Sequence, residues 1–128
     1  MKRTPLRRTP MRKKPSRKPP MTSEVYETVM GRRGGRCEAH VATKCTGRAE
    51  HWHHRQLRSR GGEHTVENGL AVCHACHEHI HRFPLDSREA GFMVSSWGDP
   101  ATQPVLIGGM MVILTPEGWY IAAGKKVA

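Results

Sequence analysis

Aromatic side chains are scarce in this chain: three Trp, two Tyr and two Phe in 128 residues. Hydrophobic residues reach only 37%. That supply is thin for a buried core, so a metal staple would add much to the fold. Long apolar runs are also missing. The longest, residues 105–114, is interrupted by Gly108-Gly109. It falls far short of the roughly 20 residues a membrane helix needs, so a membrane partner is not expected. Acidic residues are absent from positions 1–20, which hold nine of the 21 Lys and Arg. This charged start has no apolar stretch and does not read as a secretory signal. A reducing cytoplasm is therefore expected, and in it the four cysteines favour metal over disulfides. The remaining 12 basic residues nearly balance the 11 acidic ones. The net charge of +10 is thus concentrated at one end, as expected for a partner that is a polyanion.

Residues 1–21 form the first of four expected segments, a disordered basic arm. It contains a five-residue repeat, RTPLR then RTPMR, and five of the nine prolines. Proline opposes helix and like charge opposes collapse, so an extended arm along DNA phosphates is expected. Residues 22–36 form a short helix and a linker. Thr22 or Ser23 caps the helix, Val25, Tyr26, Val29 and Met30 make its apolar face, and Gly31 ends it. The sequence RRGGR at 32–36 reads as a flexible basic link. Residues 37–83 are the core: a strand or ribbon over 50–57, a turn at 58–62, a return strand at 70–72, and a helix over 74–82 that stops before Pro84. Residues 84–128 read as a β-rich extension. It has the end of a short helix at 88–90, a strand at 92–96, a hairpin over 104–114 turning at Gly108-Gly109, a TPEG turn, and a third strand at 119–122. The fold class is α+β.

The chemistry is concentrated in residues 50–81. Eight of the nine histidines lie between positions 51 and 81. His77 and His81 are four apart, on one face of the expected helix. His53 and His54 are adjacent on the expected strand, where alternation sends neighbours to opposite faces. They share a site only if the ribbon is twisted or bulged there. Alternation alone pairs His51 with His53 and makes His51 the spare candidate ligand. Cys37, Cys45, Cys73 and Cys76 supply four thiolates, the set for a closed tetrahedral structural zinc site. His40, at Cys37-x-x-His40, is the alternative to Cys45. A redox Cys-x-x-Cys would leave Cys37 and Cys45 unexplained. His64, His74 and His79 read as solvated, and Trp52 as core. Arg55, Arg58 and Arg60 line the turn, placed to grip a nucleic-acid backbone.

Three elements together resemble the HNH endonuclease family, in its zinc-stabilised branch. They are His53-His54 seven residues before Gly61-Gly62, Asn68 five before Cys73, and His77 directly after Cys73-x-x-Cys76 with His81 four beyond. The likeness covers about residues 37–82. Leu57 stands where many members have proline, and Gly69 where a leucine usually follows the asparagine. The resemblance implies a small ββα-metal finger with a structural zinc and a metal-dependent nuclease acting on double-stranded DNA. It implies that His53, His77 and His81 hold one catalytic divalent ion (Mg, Mn, Ni or Zn). His54 would then act as general base, and Asn68 would orient His54 through its backbone. The basic arm and apolar extension further resemble small bacteriophage HNH proteins. That likeness implies the cytoplasm of a bacterial host as the location and packaging proteins as partners. One such site cuts one strand, so double-strand cleavage implies a homodimer or repeated events.

A non-catalytic zinc-finger module explains the cysteines and the arm but not the clustered histidines. A histidine-rich metal-binding protein explains the histidines but not the arm. If the arm neutralises about four phosphates, the slope of log affinity for DNA against log salt is about −3.6. Deleting residues 2–19 flattens that slope in a salt titration; an unchanged slope removes the arm from DNA binding.

Overall fold

The computed structural model describes residues 20–123. All but the last two residues of the expected arm lie outside this range. Helix α1 (Ser23–Gly31) begins where Thr22 Oγ1 accepts the Val25 N–H at 3.2 Å, the capping role its position suggests. Val29 is buried and Val25 and Met30 pack beside it, while Tyr26 of the expected apolar face is exposed.

Strand β1 (His51–His54) pairs antiparallel with β2 (Gly69–Val72), with His53 opposite Leu70 and His54 opposite Gly69. All of β2 is buried, which suits its continuous apolar run. The connection carries a 3₁₀ turn at Arg58–Arg60. Gly62 lies so close to the strand exit that a Cβ there would sit 1.7 Å from the Gln56 carbonyl oxygen. Only glycine closes this loop. Gly69 has a comparable reason: a Cβ would meet the Trp52 ring at 2.3 Å. Helix α2 (His74–Arg82) follows, and α3 (Pro84–Glu89) starts on its proline. A second sheet, in the order β3 (Val105–Ile107), β4 (Met110–Leu114), β5 (Tyr120–Ala122), is antiparallel throughout. The protein is thus a small α+β fold with two sheets. Its main core joins Leu70, Val72 and Ile80 to Phe92, Val105 and Leu114, and the cysteines lie within it.

Two expectations fail. Residues 92–96 form no strand. The N–H groups of Phe92 and Met93 both donate to the Ser87 carbonyl, and that of Val94 to the Arg55 carbonyl, so the segment wraps α3 and the end of β1. The linker at 32–36 is not simply a solvated basic link either. The Arg32 side chain is fully buried in an ion pair with Glu38, Nε to Oε2 and Nη2 to Oε1, each 2.8 Å. Arg32 also donates to the Val66 and Gly69 carbonyls. Glu38 accepts the Ala71 N–H at 2.8 Å and the Tyr120 hydroxyl. Burial alone lowers the Arg32 pKa, but Glu38 more than reverses this and holds it above its ordinary value. This knot ties the end of α1 to β2 and β5 with every polar group matched.

Removing one member of a buried pair leaves the other charge stranded, at a cost of about 3–5 kcal/mol. Glu38→Ala should lose that much in chemical denaturation. A loss below about 1 kcal/mol, the range of exposed pairs, contradicts the role of the knot.

Candidate metal centres

The four cysteine Sγ atoms lie within 4.8 Å of one another. Cys37 and Cys45 come from the loop after α1. Cys73 is the N-cap of α2, its sulfur accepting the Cys76 N–H at 3.3 Å, and Cys76 lies one turn in. The Cys73 N–H donates in turn to Cys37 Sγ at 3.3 Å. Three of the sulfurs are buried and Cys45 is half-buried, and none is in a disulfide. Burial pushes the Cys73 thiol up, but the N–H groups of Cys76 and Thr46 and the neighbouring thiols outweigh it and bring it to about 7. Burial raises Cys45 and Cys76; Cys73 adds to the rise of both. The cluster therefore holds one easily ionised thiol, Cys73, beside two resistant ones, Cys45 and Cys76. A dication resolves that conflict, because it replaces the protons with a charge all four sulfurs can share. The donor set fits structural zinc. His40 is not one of the four; its Nδ1 lies 3.4 Å from Cys45 Sγ, on a backbone with φ of 46°.

A second group forms where β1 faces α2. His53, His77 and His81 place one ring nitrogen each within 4.8 Å of one another. Their ring centroids form a near-equilateral triangle of 5.2, 5.4 and 5.0 Å. His53 is buried, His77 half-buried and His81 exposed, so the group opens outward. The His53 Nε2 lies 2.8 Å from the Phe92 carbonyl oxygen. A carbonyl only accepts, so Nε2 carries the proton and Nδ1 is left with a bare lone pair. That Nδ1 is buried and has no hydrogen-bond partner. An orphaned acceptor beside two more imidazoles fits a divalent ion. Burial above all, then the neighbouring histidines, lowers His53 to about 3 and also lowers His77, so both favour the unprotonated form.

The strand keeps its alternation. The β1–β2 register is unbroken through His54. His51 accordingly sides with His53, its ring 5.3 Å from His77 and 5.4 Å from His74. His54 lies with Trp52 instead, centroids 4.7 Å apart. Its Nε2 is 2.9 Å from Nδ1 of His64, a loop residue expected to be solvated. Burial, then His64, Arg58 and His77, holds His54 down to about 4.

Asn68 differs from expectation in its partner. It does not bond the His54 backbone. Its Oδ1 accepts the Gln56 N–H at 2.6 Å, and its Nδ2 donates to the Gln56 and Glu63 carbonyls. It therefore clamps both ends of the loop between β1 and β2. Arg55 is a further correction: it does not line the surface for DNA. The residue is fully buried and donates to the carbonyls of Gly91, Glu67, Pro100 and Gln103. Burial lowers it to about 10, so it remains charged and holds residues 91–103 against β1. Gln56 adds bonds to the Ser95 and Gly98 carbonyls. Arg58 is half-buried and Arg60 exposed.

Cys73→Ser should release one zinc per chain and unfold the protein, because binding energy here is folding energy. Elemental analysis and circular dichroism read both effects, and a folded, metal-free variant refutes the assignment.

No family model, curated protein or solved structure matches the chain. Its functional reading rests on the arrangement of its own side chains.

Proposed function

We propose that the chain is a metal-dependent endonuclease of the HNH type, hydrolysing phosphodiester bonds in DNA. The observation that carries this reading is the convergence of His53, His77 and His81 on one open-sided group, with an orphaned nitrogen on His53. A closed four-sulfur site suits structure, whereas three imidazoles leave positions for water and phosphate. A divalent ion (Mg, Mn, Ni or Zn) held by these three residues would supply charge neutralisation for phosphodiester hydrolysis.

The side chains supply the remaining roles. His53 is fixed by Phe92, and His77 and His81 face it from α2. His54 is neutral at pH 7 and takes the proton of the attacking water. The water oxygen bonds to phosphorus, the P–O3′ bond breaks, and solvent protonates the departing 3′ oxygen. Products carry 5′-phosphate and 3′-hydroxyl ends, as the family resemblance implies. Arg58 is close enough to His54 to lower its pKa, so it offers positive charge beside the base. Among the described residues no helix is long and apolar enough to cross a membrane. The bacteriophage setting and packaging partners follow from the same resemblance.

Supercoiled plasmid incubated with the zinc-loaded protein should be nicked when Mg²⁺, Mn²⁺ or Ni²⁺ is added. His54→Ala should slow nicking about 10²–10⁴-fold, the usual worth of a positioned base, with zinc content and DNA binding intact. The pH profile adds a sign. A base whose pKa is lowered stays unprotonated as pH falls through 6.5, and loses function only toward about 4. At saturating metal the acid limb should therefore lie well below 6.5; a midpoint there contradicts the assigned base. No cutting with any ion leaves a DNA-binding module.

A further inference from the structure

We infer that His64 is the positioning residue for His54, holding its Nε2 and fixing the tautomer in which its Nδ1 is bare. The inference rests on the nuclease reading, but its central observation does not need catalysis.

His54 Nε2 and His64 Nδ1 are 2.9 Å apart, so one of these two nitrogens donates a proton to the other. If His64 donates, the proton of neutral His54 lies on Nδ1, and no lone pair is left to accept another. If His54 Nε2–H donates, Nδ1 keeps its lone pair and is free to take the proton of water. Only the second arrangement makes His54 a base. The arrangement parallels a nucleophile's base held by a third group, with an imidazole in place of the usual carboxylate.

The fold fixes this pair from several sides. The rings come from separate segments, His54 from the end of β1 and His64 from the loop before β2. Asn68 clamps that loop at the Glu63 carbonyl, next to His64, and at Gln56, two residues past His54. Gly62 allows the loop to close on the Gln56 carbonyl. The Trp52 ring meets both imidazoles, at 4.7 and 6.2 Å between centroids. The role that the family resemblance gives to Asn68 alone is thus shared here: Asn68 sets the loop, and the loop presents His64.

The full zinc-loaded chain tests this by ¹⁵N NMR of the histidine rings and by nicking. In the wild type, His54 should be protonated at Nε2 with coupling across the bond to His64 Nδ1. His64→Phe keeps ring volume and removes the acceptor. It should mix the His54 tautomers and lower kcat about 10- to 100-fold, the range for losing an outer partner of a working imidazole, with KM and zinc content unchanged. His64→Asn, which returns an acceptor near Nδ1, should recover most of the rate. Three results overturn the inference: a wild-type His54 protonated at Nδ1, a His64→Phe variant with unchanged tautomer and kcat, or a further divalent ion bound between the two rings and lost in His64→Phe. If His64→Phe does not fold, the wild-type spectrum still decides. A wild type that never nicks sinks the nuclease reading instead, and leaves the tautomer result to be read by itself.

Discussion

The two-residue alternation of β1 is the constraint on which the candidate site depends. Four residues, three of them histidine, send side chains to opposite faces with no bulge in the ladder. One face gives His51 and His53 to α2, and the other gives Trp52 and His54 to the loop before β2. The strand therefore separates the His53 group from the His54–His64 pair, although the residues are neighbours in sequence. A one-residue slip would exchange the two sets and put Trp52 where His53 now meets Phe92. Register is held by groups beyond the ladder: Gly69 accommodates Trp52, and Arg55 and Gln56 bind the strand exit to residues 91–103.

The same polar groups answer the shortage of apolar side chains. The two buried guanidinium groups, Arg32 and Arg55, are satisfied in different ways. Arg32 faces a carboxylate that also takes a backbone N–H and a tyrosine hydroxyl. Arg55 donates to four carbonyl oxygens, with Glu38 acting on it only through space. Both join segments distant in sequence, as a larger hydrophobic core would do in a longer chain. The four sulfurs do the same between the loop after α1 and the start of α2, inside the main apolar cluster.

What the sequence made legible was local. The Thr22 cap, the Gly108-Gly109 hairpin, the helix at 74–82 and its stop before Pro84 depend on residues a few positions apart. So do Cys73-x-x-Cys76 and the His77, His81 pair. What stayed hidden depends on backbone carbonyls or on partners far along the chain. Nothing in the letter Arg at position 55 distinguishes a phosphate contact from a cation buried among carbonyls. The Glu38 knot draws on positions 32, 38, 71 and 120, which share no period. His64 sits in a polar loop and gains meaning only when Asn68 closes that loop. The stretch at 92–96 looked like a strand because it is apolar, and it is buried; its N–H groups simply turn to Ser87 and Arg55 instead of to a neighbouring strand.

The bond from His53 to the Phe92 carbonyl has a consequence for how the two ends of the molecule communicate. The extension decides which nitrogen of His53 is bare. Were an ion held by the histidine group, its binding and the docking of that extension would be thermodynamically linked, each tightening the other by the same factor. Evolutionary changes in the second sheet could tune ion affinity without touching any residue that meets the ion.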